Sequence, residues 1–299
     1  MSLPQRVTKT HATGNDFVVY LDKSGKFEPT ADEVRFLCDR HFGIGGDGLI
    51  RLTRPDFVSD LSDDQLSDVL AGGTKWFMDY RNADGSLAEM CGNGTRCIGK
   101  YVYEHGLTNK THITLETNSG IKYLELHCTG DQVTSVTVDM GKAILTPREI
   151  PVESDSQEPF VAKPVQVGDR LERLTCVSVG NPHAVVFCDR VEDLDLEKLG
   201  PLFEHHAIFP DRVNTEFVRV IDDHTLQMRV WERGSGETLA CGTGACATTV
   251  AAVLNGYCPQ GEPILVKLRG GDLTITYQAD GTVMMTGPAE EVFQGEINL

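Results

Sequence analysis

The sequence predicts an α+β fold of two pseudo-symmetric domains, each a mostly antiparallel β-sheet wrapped around a central α-helix. Three observations predict it. A cysteine motif occurs twice, as Cys91-Gly-Asn-Gly94 and Cys241-Gly-Thr-Gly244, 150 residues apart in a chain of 299. The same order of elements (strand, strand, motif, helix, hairpin, strand) surrounds each copy. Neither copy shows the regular strand–helix alternation of a doubly wound parallel sheet.

The elements can be read off in order. Each half opens on a Gly-Asn that leads into an apolar strand, Gly14-Asn15-Asp-Phe-Val-Val-Tyr20 in the first and Gly180-Asn181-Pro-His183-Ala-Val-Val-Phe187 in the second. After Cys91, Ile98, Tyr101 and Val102 recur at helical spacing, and Gly106 marks a stop. After Cys241, the run from Ala245 to Leu254 is small, apolar and without charge, as a helix buried at a domain centre would be, and Gly256 closes it. Hairpins follow at Ile113–Leu126, turning at Gly120, and at Ile264–Tyr277, turning at Gly271. Both alternate apolar and polar residues, the mark of half-buried antiparallel strands. A further strand ends each repeat, at Val136–Gly141 and Val283–Gly287. The expected domains are 1–141 and 142–287, with the tail 288–299 packing back on the first. The polar, breaker-rich stretch Glu153–Pro159 lies near that boundary. Residues 59–73 read as a solvated acidic insertion.

Composition narrows the function. With 40% hydrophobic and 24% charged residues the chain can build ordinary globular cores. A net charge of -17 repels phosphate backbones, so a nucleic-acid partner is not expected. No apolar run approaches transmembrane length, so no membrane partner is expected either. No apolar leader opens the chain, and nine scattered cysteines suit a reducing compartment, so a cytoplasmic location is expected. No Cys-x-x-Cys pair is present. The spacings Cys91/Cys97 and Cys241/Cys246 are too wide for an ordinary zinc knuckle, so no metal site is expected. Cys38, Cys128, Cys176, Cys188 and Cys258 read as small buried hydrophobes.

The motif itself points to chemistry. A cysteine just ahead of a helix meets unpaired backbone N–H groups and the positive end of the helix dipole, which lower a thiol pKa and attract anions. The glycines let backbone N–H groups approach a ligand closely. Each cysteine has a polar residue nine places upstream, Asn82 and Glu232. A lone nucleophilic cysteine would need a histidine partner but no duplicate. Two thiols, one per half, are what inversion of a tetrahedral carbon through a planar intermediate requires, one removing a proton and the other delivering one to the opposite face.

At these residues the chain resembles the diaminopimelate epimerase family. The similar strings are His11-Ala-Thr-Gly-Asn-Asp-Phe17, Gly43-Ile-Gly-Gly-Asp-Gly48, Tyr80-Arg-Asn-Ala-Asp-Gly-Ser86, Glu89-Met-Cys-Gly-Asn-Gly-Thr-Arg96, Gly180-Asn-Pro-His183, Val213-Asn214 and Trp231–Gly244. They keep the family's order over nearly the whole chain. The resemblance implies a pyridoxal-independent isomerase that needs no cofactor, takes diaminopimelate as its small-molecule substrate, and works as a homodimer in lysine and peptidoglycan precursor synthesis. It implies that Cys91 and Cys241 are the acid/base thiols, tuned by His183 and Glu232. It implies substrate contacts from Asn15, Asn82, Gly92, Asn93, Asn181, Asn214, Glu232, Arg233, Gly242 and Thr243. Gly48 departs from the family pattern, which commonly has Gln there.

Residue chemistry suits these roles. Arg233 is a bidentate partner for a carboxylate, and the asparagines with Glu232 suit an ammonium group. Two other readings remain open on sequence: a proline or hydroxyproline racemase-like enzyme, and a thiol redox or metal-binding protein using the four motif cysteines.

Overall fold

In the computed structural model, residues 6–58, 75–88 and 91–297 are described. The acidic segment 59–73 and the motif residues 89–90 lie outside the described residues. The chain divides into two compact units, Met1–Val138 with Gly287–Leu299, and Asp139–Thr286.

The first unit holds β1 (Arg6–Ala12), β2 (Asn15–Leu21), α1 (Ala31–Cys38), β3 (Gly48–Thr53), β4 (Phe77–Asn82), α2 (Gly92–Glu104), β5 (His112–Thr117), β6 (Gly120–Thr129) and most of β7 (Gln132–Lys142). The C-terminal strand β17 (Glu290–Glu296) joins this unit by pairing with β1. Its strands run in the order β17-β1-β2-β3-β4-β5-β6-β7. Successive pairs are antiparallel, antiparallel, parallel, antiparallel, parallel, antiparallel and antiparallel.

The second unit holds β8 (Lys163–Val167), β9 (Arg170–Ser178), β10 (Pro182–Phe187), α3 (Leu196–Glu204), β11 (Asn214–Asp222), β12 (Thr225–Glu232), the short β13 (Gly236–Glu237), α4 (Gly242–Leu254), β14 (Pro263–Leu268), β15 (Gly271–Tyr277) and β16 (Thr282–Gly287). The order β8-β9-β10-β11-β12-β14-β15-β16 repeats the same series of antiparallel and parallel pairs. Each unit is therefore a mostly antiparallel sheet of α+β class, and each sheet holds a helix.

That shared topology sets up residue counterparts. Gly48 pairs with Phe17 on one side and Asn82 on the other. In the second unit Asn214 pairs with His183, and the register Thr215–Trp231 carries it to Glu232. Phe17 thus corresponds to His183, Ile50 to Glu216, Asn82 to Glu232 and Asn15 to Asn181.

The two interior helices follow from their sequences. In α4 the residues Gly244 to Ala252 are all buried. They are small and uncharged, so the strands β9 to β12, β14 and β15 close around them. On α2, Ile98 and Val102 are fully buried, each worth about 1.5–3 kcal/mol of apolar transfer. Arg96 is also fully buried, which its chain-internal partners permit: Asn93 Oδ1 at 2.8 Å and the Pro288 carbonyl at 3.2 Å. A second apolar cluster in the C-terminal unit joins β8 to β11 with α3, through Leu174, Phe203 and Phe217 among others.

Candidate active site

Both motif cysteines are helix N-caps. Cys91 precedes α2 with extended backbone (φ -138°, ψ 114°), and Cys241 precedes α4 (φ -120°, ψ 112°). The glycines and short polar residues that follow leave the first-turn N–H groups unshielded. No disulfide engages any of the nine cysteines.

Around Cys91 the neighbours are amides. Its thiol points at Asn15 Oδ1, 3.5 Å away, and the same oxygen accepts from Asn93 Nδ2 at 3.0 Å. Asn15 is turned this way because its Nδ2 donates to Asp47 at 2.7 Å. Asp47 also accepts from the Asp16 backbone N–H and from Arg40. Burial opposes ionisation of Asp16, yet Arg40 and Lys9 hold its carboxyl far below the usual carboxylate range. The surroundings of Cys91 thus rest on a salt-bridged cluster. Asn82 ends β4 and donates to Ser86 Oγ at 3.0 Å. The turn beyond it is closed by Asp84, which accepts from the Ser86 N–H and hydroxyl.

Around Cys241 the neighbours are carboxylates. Its sulfur accepts from the Gly244 N–H at 3.3 Å and lies 3.4 Å from the Thr243 hydroxyl. Burial, then the charges of Glu232 and Glu216, push this thiol well above its ordinary value, against those two donors. The sequence expectation that the helix end lowers this thiol is therefore corrected. A helix dipole is worth about 0.3–1 kcal/mol, up to ~2 when partly buried, and burial beside two carboxylates outweighs it. Burial likewise raises the Glu232 carboxyl above its usual range, although the Thr238 hydroxyl donates to it at 2.5 Å.

His183 makes no hydrogen bond to Cys241 among the described residues. Its Nδ1 meets Glu216 Oε1 at 2.7 Å and its Nε2 meets Asn181 Oδ1 at 2.9 Å. Asn214 holds backbone: its Nδ2 donates to the Pro182 carbonyl at 2.8 Å, and its Oδ1 accepts from the Arg233 N–H at 3.0 Å. It is 4% exposed. The Arg233 guanidinium is half-buried, donates to the Asp211 carbonyl and makes no ion pair among the described residues. Gly92, Asn93, Gly242 and Thr243 form the first turns of α2 and α4. The Gly244 N–H is engaged by Cys241, so on that helix Gly242 and Thr243 are the first-turn donors left for a ligand.

The remaining motif cysteines are packing residues. Cys97 is buried on α2, and that burial pushes its thiol up to about 12. Cys246 is fully buried on α4. Gly48 has a steric reason. A Cβ there would lie 2.4 Å from the Tyr80 ring and 2.7 Å from the Arg81 carbonyl oxygen, so Tyr80 takes the space that a side chain at 48 would need.

Sequence reasoning missed two residues. Glu216 is fully buried beneath α4. Glu204, at the end of α3, orders the loop after β12 by accepting from Trp231 Nε1 at 2.8 Å and the Gly234 N–H at 2.9 Å. Burial opposes its ionisation, but these donors hold it below the usual range. A buried glutamate in a strand is signalled in sequence only by its apolar surroundings, as in Val213-Asn-Thr-Glu216-Phe-Val218.

Comparison with known proteins supports one family. The family model described as diaminopimelate epimerase matches residues 7–146 and 175–292. The chain is 49% identical over 296 residues to a diaminopimelate epimerase of Methanococcus maripaludis, covering 98% of this chain and 100% of the relative. It is 49% identical over 301 residues to that of Agathobacter rectalis, covering 98% and 99%. Among solved structures it is similar to a probable proline racemase from Agrobacterium radiobacter, with TM-score 0.69 and 14% identity over 98% of this chain and 93% of that one. A hydroxyproline epimerase from Agrobacterium vitis superposes with TM-score 0.68 and 15% identity, over 99% and 92%. At such identities these two show a shared fold. No helix among the described residues is long and apolar enough to cross a membrane.

Proposed function

Because the chain belongs to the diaminopimelate epimerase family, we propose that it interconverts L,L- and meso-diaminopimelate by proton transfer at one α-carbon, with Cys91 and Cys241 as the two acid/base groups. The observation that carries this reading is that both motif cysteines cap helices in units of the same topology. Each thiol thereby stands beside unpaired backbone N–H groups.

The two thiols differ in readiness. Cys241 is held protonated by burial and its carboxylate neighbours. In the direction in which Cys241 delivers a proton, Cys91 removes one, and the two roles exchange in the reverse direction. The S–H of Cys91 makes a weak hydrogen bond to Asn15 Oδ1.

Proton transfer by a placed group supplies about 10²–10⁴-fold. An α-proton beside a carboxylate is too weakly acidic for that alone. First-turn N–H donors at Gly92, Asn93, Gly242 and Thr243 supply the rest by stabilising the carboxylate as it takes on enolate character. Each donor in such a role is worth about 2.7–4 kcal/mol. Arg233 binds a substrate carboxylate, and Asn15, Asn82, Asn181 and Glu232 bind the remaining polar groups. Asn214 contributes by holding Arg233. The chemistry asks for no metal or organic cofactor.

As a member of this family the protein is an isomerase whose product serves lysine synthesis. We read it as a cytoplasmic homodimer: unprotected catalytic thiols need a reducing compartment, and the family resemblance supports the dimer. The test is incubation in D₂O with diaminopimelate, proline and hydroxyproline in parallel. Exchange of the α-proton in diaminopimelate alone is the expected result; exchange in proline instead would overturn the assignment.

A further inference from the structure

We infer that Glu216 is a positioning residue for this reaction, holding the His183 ring so that the ring captures the Asn181 oxygen and leaves the Asn181 NH₂ as a donor to substrate. The inference rests on the proposed epimerase reading.

Four observations carry it. Glu216 and His183 are both fully buried, with Glu216 Oε1 on His183 Nδ1 at 2.7 Å. The other ring nitrogen lies 2.9 Å from Asn181 Oδ1, so Nε2 as donor fixes which way that amide faces. The second Glu216 oxygen, Oε2, is buried without a hydrogen-bond partner among the described residues. Packing alone does not call for such a carboxylate, since a buried ion pair is often replaceable by apolar residues at no cost. Finally, Glu216 reaches the catalytic helix itself. A Cβ on Gly244 would meet Glu216 Oε1 at 2.7 Å and Cys241 Sγ at 3.2 Å.

The other unit provides an internal control. At the counterpart positions it has Phe17 and Ile50, both fully buried. There a Cβ on Gly94 would meet Ile50 Cδ1 at 3.0 Å and Cys91 Cβ at 3.7 Å. The same fold thus fills this place with an apolar pair. Without a histidine to hold it, the counterpart amide Asn15 is oriented by Asp47 and turns its oxygen to Cys91. In the second unit the Asn181 oxygen meets the His183 ring instead. The groups facing Glu216 are His183 on β10, Cys241 at the start of α4, Glu232 on β12 and Cys176 on β9.

The test uses the full-length protein and diaminopimelate exchange in D₂O, and wild-type exchange must first be seen; its absence would refute the epimerase reading rather than this one. Glu216→Met keeps the volume and removes the acceptor. It is expected to raise KM about 10- to 100-fold, the worth of one hydrogen bond to a charged group, while the melting temperature shows the protein folded. Glu216→Gln keeps an oxygen for the ring and is expected to restore KM to within a few-fold of wild type. Asn181→Ala in the Glu216→Met background is expected to add little, since both changes remove the same donor. Should Glu216→Met fail to fold, the pair His183→Phe/Glu216→Ile, which copies the other unit, is read in its place. An unchanged KM in the folded variant, or effects of Glu216 and Asn181 that are fully additive, would overturn the inference.

Discussion

The surroundings of the two motif cysteines share a backbone plan and differ in the chemistry laid over it. Cys91 is set among amides whose orientation comes from Asp47. Cys241 is set above a buried imidazole–carboxylate pair with a further carboxyl, Glu232, beside it. Even the helix N–H groups are used differently. Gly244 donates to the Cys241 sulfur, whereas Cys91 makes no side-chain cap on α2. A duplicated fold supplies two thiols at equivalent places. The surroundings of the two are unequal, with burial and two carboxylates raising the Cys241 thiol.

The largest expected effect comes from removing either thiol. Cys91→Ala and Cys241→Ala should each leave less than about 1% of wild-type epimerisation, by the worth of a placed proton-transfer group. Substantial turnover by either variant would refute the two-thiol account.

Next comes the pH dependence of thiol reactivity. In the ligand-free protein, alkylation of Cys241 by iodoacetamide, followed by peptide mass spectrometry, should be slow at neutral pH and rise only above about pH 9, since its thiol sits above the ordinary value. Glu232→Gln removes a negative neighbour, favours the thiolate and should move that onset to lower pH. An onset that stays in place, or moves up, would contradict the electrostatic reading.

A smaller contrast concerns the paired glycines. Gly244→Ala drives a methyl into the pinned Glu216 carboxylate and should destabilise by about 1–3 kcal/mol. Gly94→Ala meets the end of the Ile50 side chain at 3.0 Å. There the better helix propensity of alanine, about 1 kcal/mol, offsets most of the strain. Thermal melts of the two variants should therefore separate; equal losses would remove the distinction between the two interiors.

Much of this was legible in the sequence. The twin Cys-Gly-x-Gly motifs, the Gly-Asn strands and the glycine-turned hairpins all appear where their local patterns place them. They are local signals, a turn residue or a period, and need no knowledge of distant packing. The Glu216–His183 pair was not legible. In Val213-Asn-Thr-Glu216-Phe-Val218 a glutamate reads as a solvent-facing strand residue, yet β11 is buried on both faces over its first five positions. The direction of the Cys241 shift escaped for a related reason. The helix end is visible in sequence, but the carboxylates that oppose it arrive from β11 and β12. The contacts of Asn214 to Pro182 and the Arg233 N–H depend on strand register and are likewise not visible in the sequence.

The most direct test of the unequal thiol pair follows the isotope during conversion of L,L-diaminopimelate in D₂O, sampled early. Separate base and acid thiols predict deuterium at the α-carbon of the meso product while the recovered L,L substrate keeps its protium, because the proton removed by Cys91 does not return from the Cys241 side. Deuterium appearing equally fast in recovered substrate, or protium retained in the product, would contradict the account.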